Sequence, residues 1–159
     1  MKVLPNPSDA SAYLNYAEVS TIKDSLGNVR TDIDSYSDNN KDNDGNGYKD
    51  DYIGWNTRTG TGTHDEKSHG TNILGVLGAK GNNSTGISGI NWNIKILPVT
   101  TGTFVSNVIE AYEYLLAERK QYNQSGGTKG SNILVTSYSG GLANAFASDH
   151  PIWLSLIHI

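Results

Sequence analysis

Two stretches of the chain place hydrophobic side chains at helical spacing. The first begins at His69, where Ser68 can cap a helix and small or apolar residues fill the next turns. The second follows Gly102 and ends at Gly126-Gly127, with charged side chains mostly on the opposite face. Both stretches are predicted to be helices. The apolar positions of the second are Val105, Val108, Ile109, Tyr112, Leu115 and Leu116, and its charged positions are Glu110, Glu113, Glu118, Arg119 and Lys120.

Glycine is unusually frequent in the first of these helices, at positions 70, 75 and 78. Glycine is a poor helix former, because it loses more backbone freedom than other residues on folding. Glycine at these positions is explained if the backbone of a neighbouring segment comes close to this helix. We therefore predict a tight backbone contact there.

Two short runs of apolar residues flank the second helix. Residues 94–99 precede it and residues 133–136 follow it, and both are predicted to be buried strands. A strand, a helix and a strand of these lengths form a right-handed crossover between parallel strands. The predicted fold class is therefore α/β, with helices covering a parallel sheet.

Composition excludes several classes of protein. The chain has 159 residues, 36% of them hydrophobic, and 18 glycines, which is typical of a loop-rich globular domain. No apolar run approaches the roughly 20 residues that span a membrane. The formal net charge is −4 and no basic stripe is present, so a nucleic acid is not an expected partner. The absence of cysteine leaves the redox compartment open.

Negative charge is concentrated in residues 32–51, which contain seven acidic residues. Within this segment Asp42, Asp44 and Asn46 place hard oxygen ligands at alternating positions, with glycines that allow a sharp turn, as calcium requires. The three residues match the start of an EF-hand loop, but the twelfth position is Ile53 rather than glutamate. We predict a calcium site here. The alternative is a solvated acidic loop that binds nothing.

The region around His69 resembles the subtilisin-like serine peptidases, or subtilases. It reads Asp-Glu-Lys-Ser-His-Gly-Thr-Asn-Ile-Leu-Gly over residues 65–75, and a Gly-Asn-Asn-Ser-Thr-Gly-Ile-Ser-Gly-Ile-Asn-Trp-Asn run follows over residues 81–93. Family members usually carry glycine and histidine where this chain has Ser68 and Asn72. The resemblance implies a three-layer α/β/α fold with a parallel sheet. It also implies a serine endopeptidase with an Asp-His-Ser triad, in which His69 is the catalytic histidine.

The rest of the triad is not evident in the sequence. The family's aspartate lies in an Asp-Thr-Gly or Asp-Ser-Gly turn after a strand, and neither Asp9 nor Asp24 has that context. The Gly-Thr-Ser turn of the nucleophile is absent as well. We therefore expect residues 1–153 to be part of a catalytic domain that is inactive by itself. The parent enzyme would act on proteins or peptides outside the cell, and calcium would be structural rather than required for the chemistry.

Two loops after predicted strands resemble the substrate-binding edges of subtilases. Ser139, Gly140 and Gly141 follow the second strand, and Thr101 and Gly102 follow the first. An extended peptide between two such edges would be held by its backbone, with little sequence preference. The alternative is that these are ordinary loop residues at strand ends.

The last six residues, 154–159, read Leu-Ser-Leu-Ile-His-Ile. The transposon end used in sequencing libraries encodes the same six residues in this frame. We interpret them as a non-native tail and leave them out of the prediction of the fold.

Two other classes of function remain open at the level of sequence. A pseudoenzyme could keep the His69 region as a scaffold for protein binding. In a non-catalytic calcium-binding module, residues 38–51 would bind the ion and His69 would have only a structural role.

Overall fold

The computed structural model describes residues 40–64, 68–84, 86–141 and 146–156. These residues form two compact units, one of residues 68–97 and the other of residues 40–64 together with those from 98 onward. The elements in chain order are β1 (Trp55–Asn56), α1 (Ser68–Gly78), β2 (Val99–Thr100), α2 (Val105–Gln124), a 3₁₀ turn (Ala147–Asp149) and α3 (Pro151–Leu156).

The two strands form a small parallel sheet, with Trp55 opposite Val99 and Asn56 opposite Thr100. The backbone N–H of Thr57 continues the pairing with a 2.9 Å bond to the Thr100 carbonyl. Gly54 precedes β1 with a φ of 111°, and a Cβ there would overlap the carbonyl of Pro98. A parallel sheet combined with helices confirms the α/β class.

The predicted strands are only partly correct. Of residues 94–99 only Val99 lies in a strand, and residues 133–136 form none within the described part of the chain. Leu134 and Val135 are 83% and 85% exposed. The parallel partner of β2 is β1, which the hydrophobic pattern did not predict. A strand needs a neighbouring backbone to bond, and an apolar run does not say which segment provides it.

Helix α2 is confirmed, but its buried face differs from the predicted one. The most buried side chain is Tyr114, at 1% exposure, whereas Tyr112 is only half-buried. Tyr114 packs edge-on against Tyr48, and Tyr48 packs edge-on against Trp55, with ring centroids 4.8 Å and 4.9 Å apart. The core of this unit is therefore aromatic. The residues of α2 that it buries are Val108, Ala111, Tyr114 and Glu118.

Glu118 was expected on the solvent face, yet it is 6% exposed. Its carboxylate accepts hydrogen bonds from Asn46 Nδ2 at 2.8 Å and from Ser131 Oγ at 2.5 Å. A carboxylate can be buried when such donors replace water. These partners are 72 and 13 residues away in the chain, so helical spacing does not reveal them.

The two glycines after α2 end it as predicted. Gly126 and Gly127 have φ angles of 65° and 86°. The N–H of Gly127 donates to the Tyr122 carbonyl at 2.8 Å and that of Gly126 to the Asn123 carbonyl at 3.4 Å. This is the Schellman pattern, which satisfies the last carbonyls of a helix.

Candidate active site

His69 is the second residue of α1 and its side chain is exposed. A backbone held in a helical turn with a side chain in solvent is a suitable arrangement for a general base, which has to reach a substrate. A Cβ at the next residue, Gly70, would meet nothing within 4 Å. The predicted helix is therefore confirmed, with Ser68 rather than His69 as its first residue. The catalytic role of His69 stays a prediction.

The run of residues 81–93 packs on the C-terminal end of the same helix. The N–H groups of Gly89 and Ile90 donate to the carbonyls of Ala79 and Val76 at 2.8 Å and 3.0 Å. A Cβ on Gly89 would overlap the backbone nitrogen of Ala79. The predicted close approach of backbone to α1 is thus confirmed beside Gly78. It is wrong for Gly70, where a Cβ would meet nothing within 4 Å, and for Gly75, where the nearest neighbour is the side chain of Ile87. The described residues of both motifs that carry the family resemblance lie in one compact unit.

The first proposed substrate edge, Thr101 and Gly102, follows β2 directly. Thr100 is held by the bond from the Thr57 N–H to its carbonyl. Among the described residues no hydrogen bond involves the backbone of Thr101 or Gly102. These groups can therefore bond an added peptide strand.

The second proposed edge, residues 139–141, is exposed and contains no regular strand. Within the described part of the chain no hydrogen bond involves the backbone of Ser139, Gly140 or Gly141. A Cβ on Gly140 would lie 2.6 Å from the ring of Tyr138, so that ring covers one face of this segment. No hydrogen bond between described residues joins the two edges.

The acidic loop folds around its own carboxylates. Asp42 Oδ1 accepts from the N–H of Asn46 at 3.1 Å, and Asp44 Oδ1 accepts from the same N–H at 3.0 Å. Asp42 Oδ2 accepts from the N–H of Gly47 at 2.8 Å, and Gly47 has a φ of 97°. Two carboxylates thus converge on one amide, at a turn that glycine favours. Gly47 is the sixth residue from Asp42, where an EF-hand loop has its glycine.

The side chain of Asn46 joins this loop to α2. Its Nδ2 donates to Asp51 Oδ2 and to Glu118 Oε1, both at 2.8 Å. One neutral amide therefore bridges two buried carboxylates. Next to it Gln121 donates to the Asp44 carbonyl at 2.9 Å, while its Oε1 is buried without a hydrogen-bond partner among the described residues.

The pKa values of two tyrosines are raised by burial and by the negative charge of this region. Burial, followed by the Asp51 and Glu118 carboxylates, raises the pKa of Tyr114 well above its usual range. Burial also raises the pKa of Tyr48, with smaller contributions from nearby carboxylates. Carboxylates disfavour a second negative charge beside them. The negative charge of the same carboxylates favours the binding of a cation.

The donor atoms of Asp42, Asp44 and Asn46 fit calcium in kind, because all are hard oxygens directed into one turn. Among the described residues no group of three or more histidine, cysteine, aspartate or glutamate side chains could hold a metal ion. A calcium site here would therefore need amide and backbone oxygens as well. Its presence stays a prediction.

Sequence reasoning missed several residues that organise this unit. His64 bonds both Thr100 and Ile53, and Asn107 donates from Nδ2 to the Thr57 carbonyl at 3.0 Å. Neither residue belongs to a recognisable motif, so no local signal could have identified it. The aspartates considered for the triad, Asp9 and Asp24, lie outside the described residues.

Comparison with known proteins decides the family. The model of the subtilase family, peptidase S8, matches residues 11–152, which is most of the chain. This chain belongs to the subtilase family. No curated protein and no solved structure matches it.

Membership agrees with the small parallel sheet and supports serine peptidase function in general, with proteins as substrates. Within the described residues of this subtilase, no helix has the length and apolar character needed to cross a membrane. The matched range ends at Ile152, before the six residues that we interpret as a non-native tail. That interpretation stays a prediction.

Proposed function

We infer that this subtilase chain is catalytic-domain sequence of a serine endopeptidase and that His69 is its general base. The observation that carries the inference is an exposed histidine in the first turn of α1, inside a family match that covers most of the chain. The chain contains no Gly-Thr-Ser turn. The proposal therefore assigns no residue of this sequence to the nucleophile, and we expect the 159 residues alone not to cleave peptides.

In the proposed mechanism His69 acts twice. It takes the proton of the serine hydroxyl as the oxygen attacks the peptide carbonyl carbon. It then gives that proton to the departing amine as the C–N bond breaks. An acidic partner would hold the ring in the tautomer that accepts the first proton. The helix positions the histidine backbone, so only the side chain has to adjust.

Thr101 and Gly102 on one side, and Ser139, Gly140 and Gly141 on the other, are proposed to bind the substrate backbone. Their peptide groups make no hydrogen bonds among the described residues and can bond an extended peptide. Backbone pairing gives affinity without a strong preference for particular side chains. The expected substrates are therefore unfolded or extended segments of proteins.

A structural calcium ion at Asp42, Asp44 and Asn46 is the second part of the proposal. It is supported by their spacing, by the convergence of two carboxylates on one amide and by the positive φ of Gly47. Bound calcium would neutralise the loop and strengthen its connection to α2. It would take no part in the chemistry. Family resemblance further suggests that the peptidase works outside the cell.

The first experiment is to sequence the gene through both ends of this coding region, and to assay its product on an unstructured protein such as casein. An Asp-Ser/Thr-Gly turn, a Gly-Thr-Ser turn and cleavage that His69→Ala abolishes without loss of the folded state are the expected results. A complete reading frame without either turn, and no cleavage, would contradict the proposal. A protein-binding scaffold would then be the better reading, or, if calcium raised its melting temperature, a calcium-binding module.

A further inference from the structure

His64 is half-buried and contacts residues of both segments that form the small sheet. Its Nδ1 is 2.8 Å from the Thr100 hydroxyl and its Nε2 is 3.2 Å from the Ile53 carbonyl. A carbonyl oxygen can only accept, so Nε2 donates to Ile53, and in a neutral ring Nδ1 then accepts from the Thr100 hydroxyl. One imidazole thus joins the residue at the end of β2 to a residue before β1.

The backbone around the ring is closely packed. Gly54 lies between Ile53 and β1, and a Cβ added to it would be 3.1 Å from His64 Nε2. The same Cβ would overlap the Pro98 carbonyl. A glycine therefore lets β1 and the segment before β2 approach closely enough for the ring to bond to both sides.

Thr100 is the last residue of β2. Its carbonyl accepts from the Thr57 N–H at 2.9 Å and from the Thr57 hydroxyl at 3.3 Å, and its own hydroxyl contacts His64. The next two residues, Thr101 and Gly102, make no backbone hydrogen bond among the described residues. The position of the edge formed by Thr101 and Gly102 therefore depends on the hydrogen bonds that fix Thr100.

We propose that His64 is a positioning residue, which orients the substrate-binding edge of Thr101 and Gly102 through its bond to Thr100. This inference rests on the proposed function of that edge. It assigns to His64 no contact with substrate and no proton transfer. Its effect should appear only for substrates long enough to pair with the edge.

Two substitutions separate the two bonds of the ring. In His64→Asn the side-chain amide occupies the place of Nδ1 and can still bond Thr100. In His64→Gln the amide reaches the place of Nε2 and can still bond Ile53, but the bond to Thr100 is lost. Thr100→Val removes the hydroxyl without changing the size of the side chain, and Thr100→Ser keeps it.

The test uses the complete gene product with two substrates, an extended peptide amide and a single-residue ester that cannot reach the edge. We expect His64→Gln and Thr100→Val each to lower kcat/KM for the peptide about fivefold, mainly through KM, and to leave ester hydrolysis unchanged. His64→Asn and Thr100→Ser should stay within about twofold of the parent. The double variant His64→Gln/Thr100→Val should be no worse than either single one. Equal losses on both substrates, or no loss in His64→Gln, would overturn the proposal.

If the gene product cleaves neither substrate, the proposed function fails, and hydrogen exchange then decides the role of His64 separately. The Thr57 N–H, which bonds Thr100, should exchange about fivefold faster in His64→Gln than in His64→Asn. Equal exchange in the two variants would overturn the positioning role.

Discussion

The two long helices are held in place in different ways. Helix α2 buries large side chains, with Tyr114 in an aromatic cluster and Glu118 in a polar network. Helix α1 buries only the glycines at positions 75 and 78, and neighbouring backbone bonds its carbonyls directly. A helix with apolar residues at helical spacing can therefore be stabilised by side-chain packing or by close backbone contact. Each kind of contact predicts a different sensitivity to mutation.

Truncation of Tyr114 should have the largest effect. Tyr114→Ala removes a ring that is 1% exposed and that packs edge-on against Tyr48 and stacks with Trp55, so we expect the free energy of unfolding to fall by about 3–5 kcal/mol. Urea denaturation of the gene product measures this. The matched control is Tyr112→Ala on the half-buried side of α2, for which we expect about 1 kcal/mol. Equal losses in the two variants would mean that the cluster does not hold α2.

Calcium should stabilise the unit of α2 and not that of α1. At a calcium concentration 100 times its dissociation constant, we expect a gain of about 2.7 kcal/mol. The gain should appear as slower hydrogen exchange in α2 and should disappear in Asp42→Asn. Asp149→Asn, an equal charge change outside the loop, is the control. An undiminished response of Asp42→Asn would show that the loop is not the site.

Added methyl groups on two glycines should affect the α1 unit in opposite directions. Gly89→Ala places a Cβ against the backbone of Ala79, and we expect a loss of about 1–3 kcal/mol. Gly70→Ala fills open space in a helix, so we expect a gain of about 0.4–1 kcal/mol. Exchange of the α1 amide protons reports both changes. A neutral effect of Gly89→Ala would mean that α1 does not depend on close backbone contact.

Alkaline pH should weaken the unit of α2 selectively. The pKa of Tyr114 is higher in the folded state than in the unfolded state, so the unfolded chain releases this proton first. Below about pH 10 the Tyr114 hydroxyl therefore does not change the free energy of unfolding. Above that pH it lowers the free energy of unfolding by about 1.4 kcal/mol per pH unit. Unfolding curves at pH 9, 10 and 11 measure the slope. Tyr114→Phe should make the slope shallower, leaving the contribution of Tyr48. An unchanged slope in that variant would assign the effect to other groups.

Local sequence patterns predicted the helices well. The start of α1 was predictable to within one residue, and so was the end of α2 before Gly126, because the signals that start and end helices act over a few neighbouring residues. The His-Gly-Thr run also identified the family, which the family comparison confirmed. The strands were less predictable. An apolar run at 133–136 indicated a strand, yet Val135 is 85% exposed and β2 pairs with β1.

The α/β class, the two long helices, the subtilase family and the position of His69 near a helix start could thus all be predicted from the amino-acid sequence. All of these follow from patterns shared by neighbouring residues. The burial of Glu118 beside Asn46, and the bonds from His64 to Thr100 and Ile53, became visible only in the folded structure. These contacts connect residues that are 11 to 72 positions apart in the chain. Burial and hydrogen bonding at such separations depend on how the elements pack, and no local pattern encodes that packing.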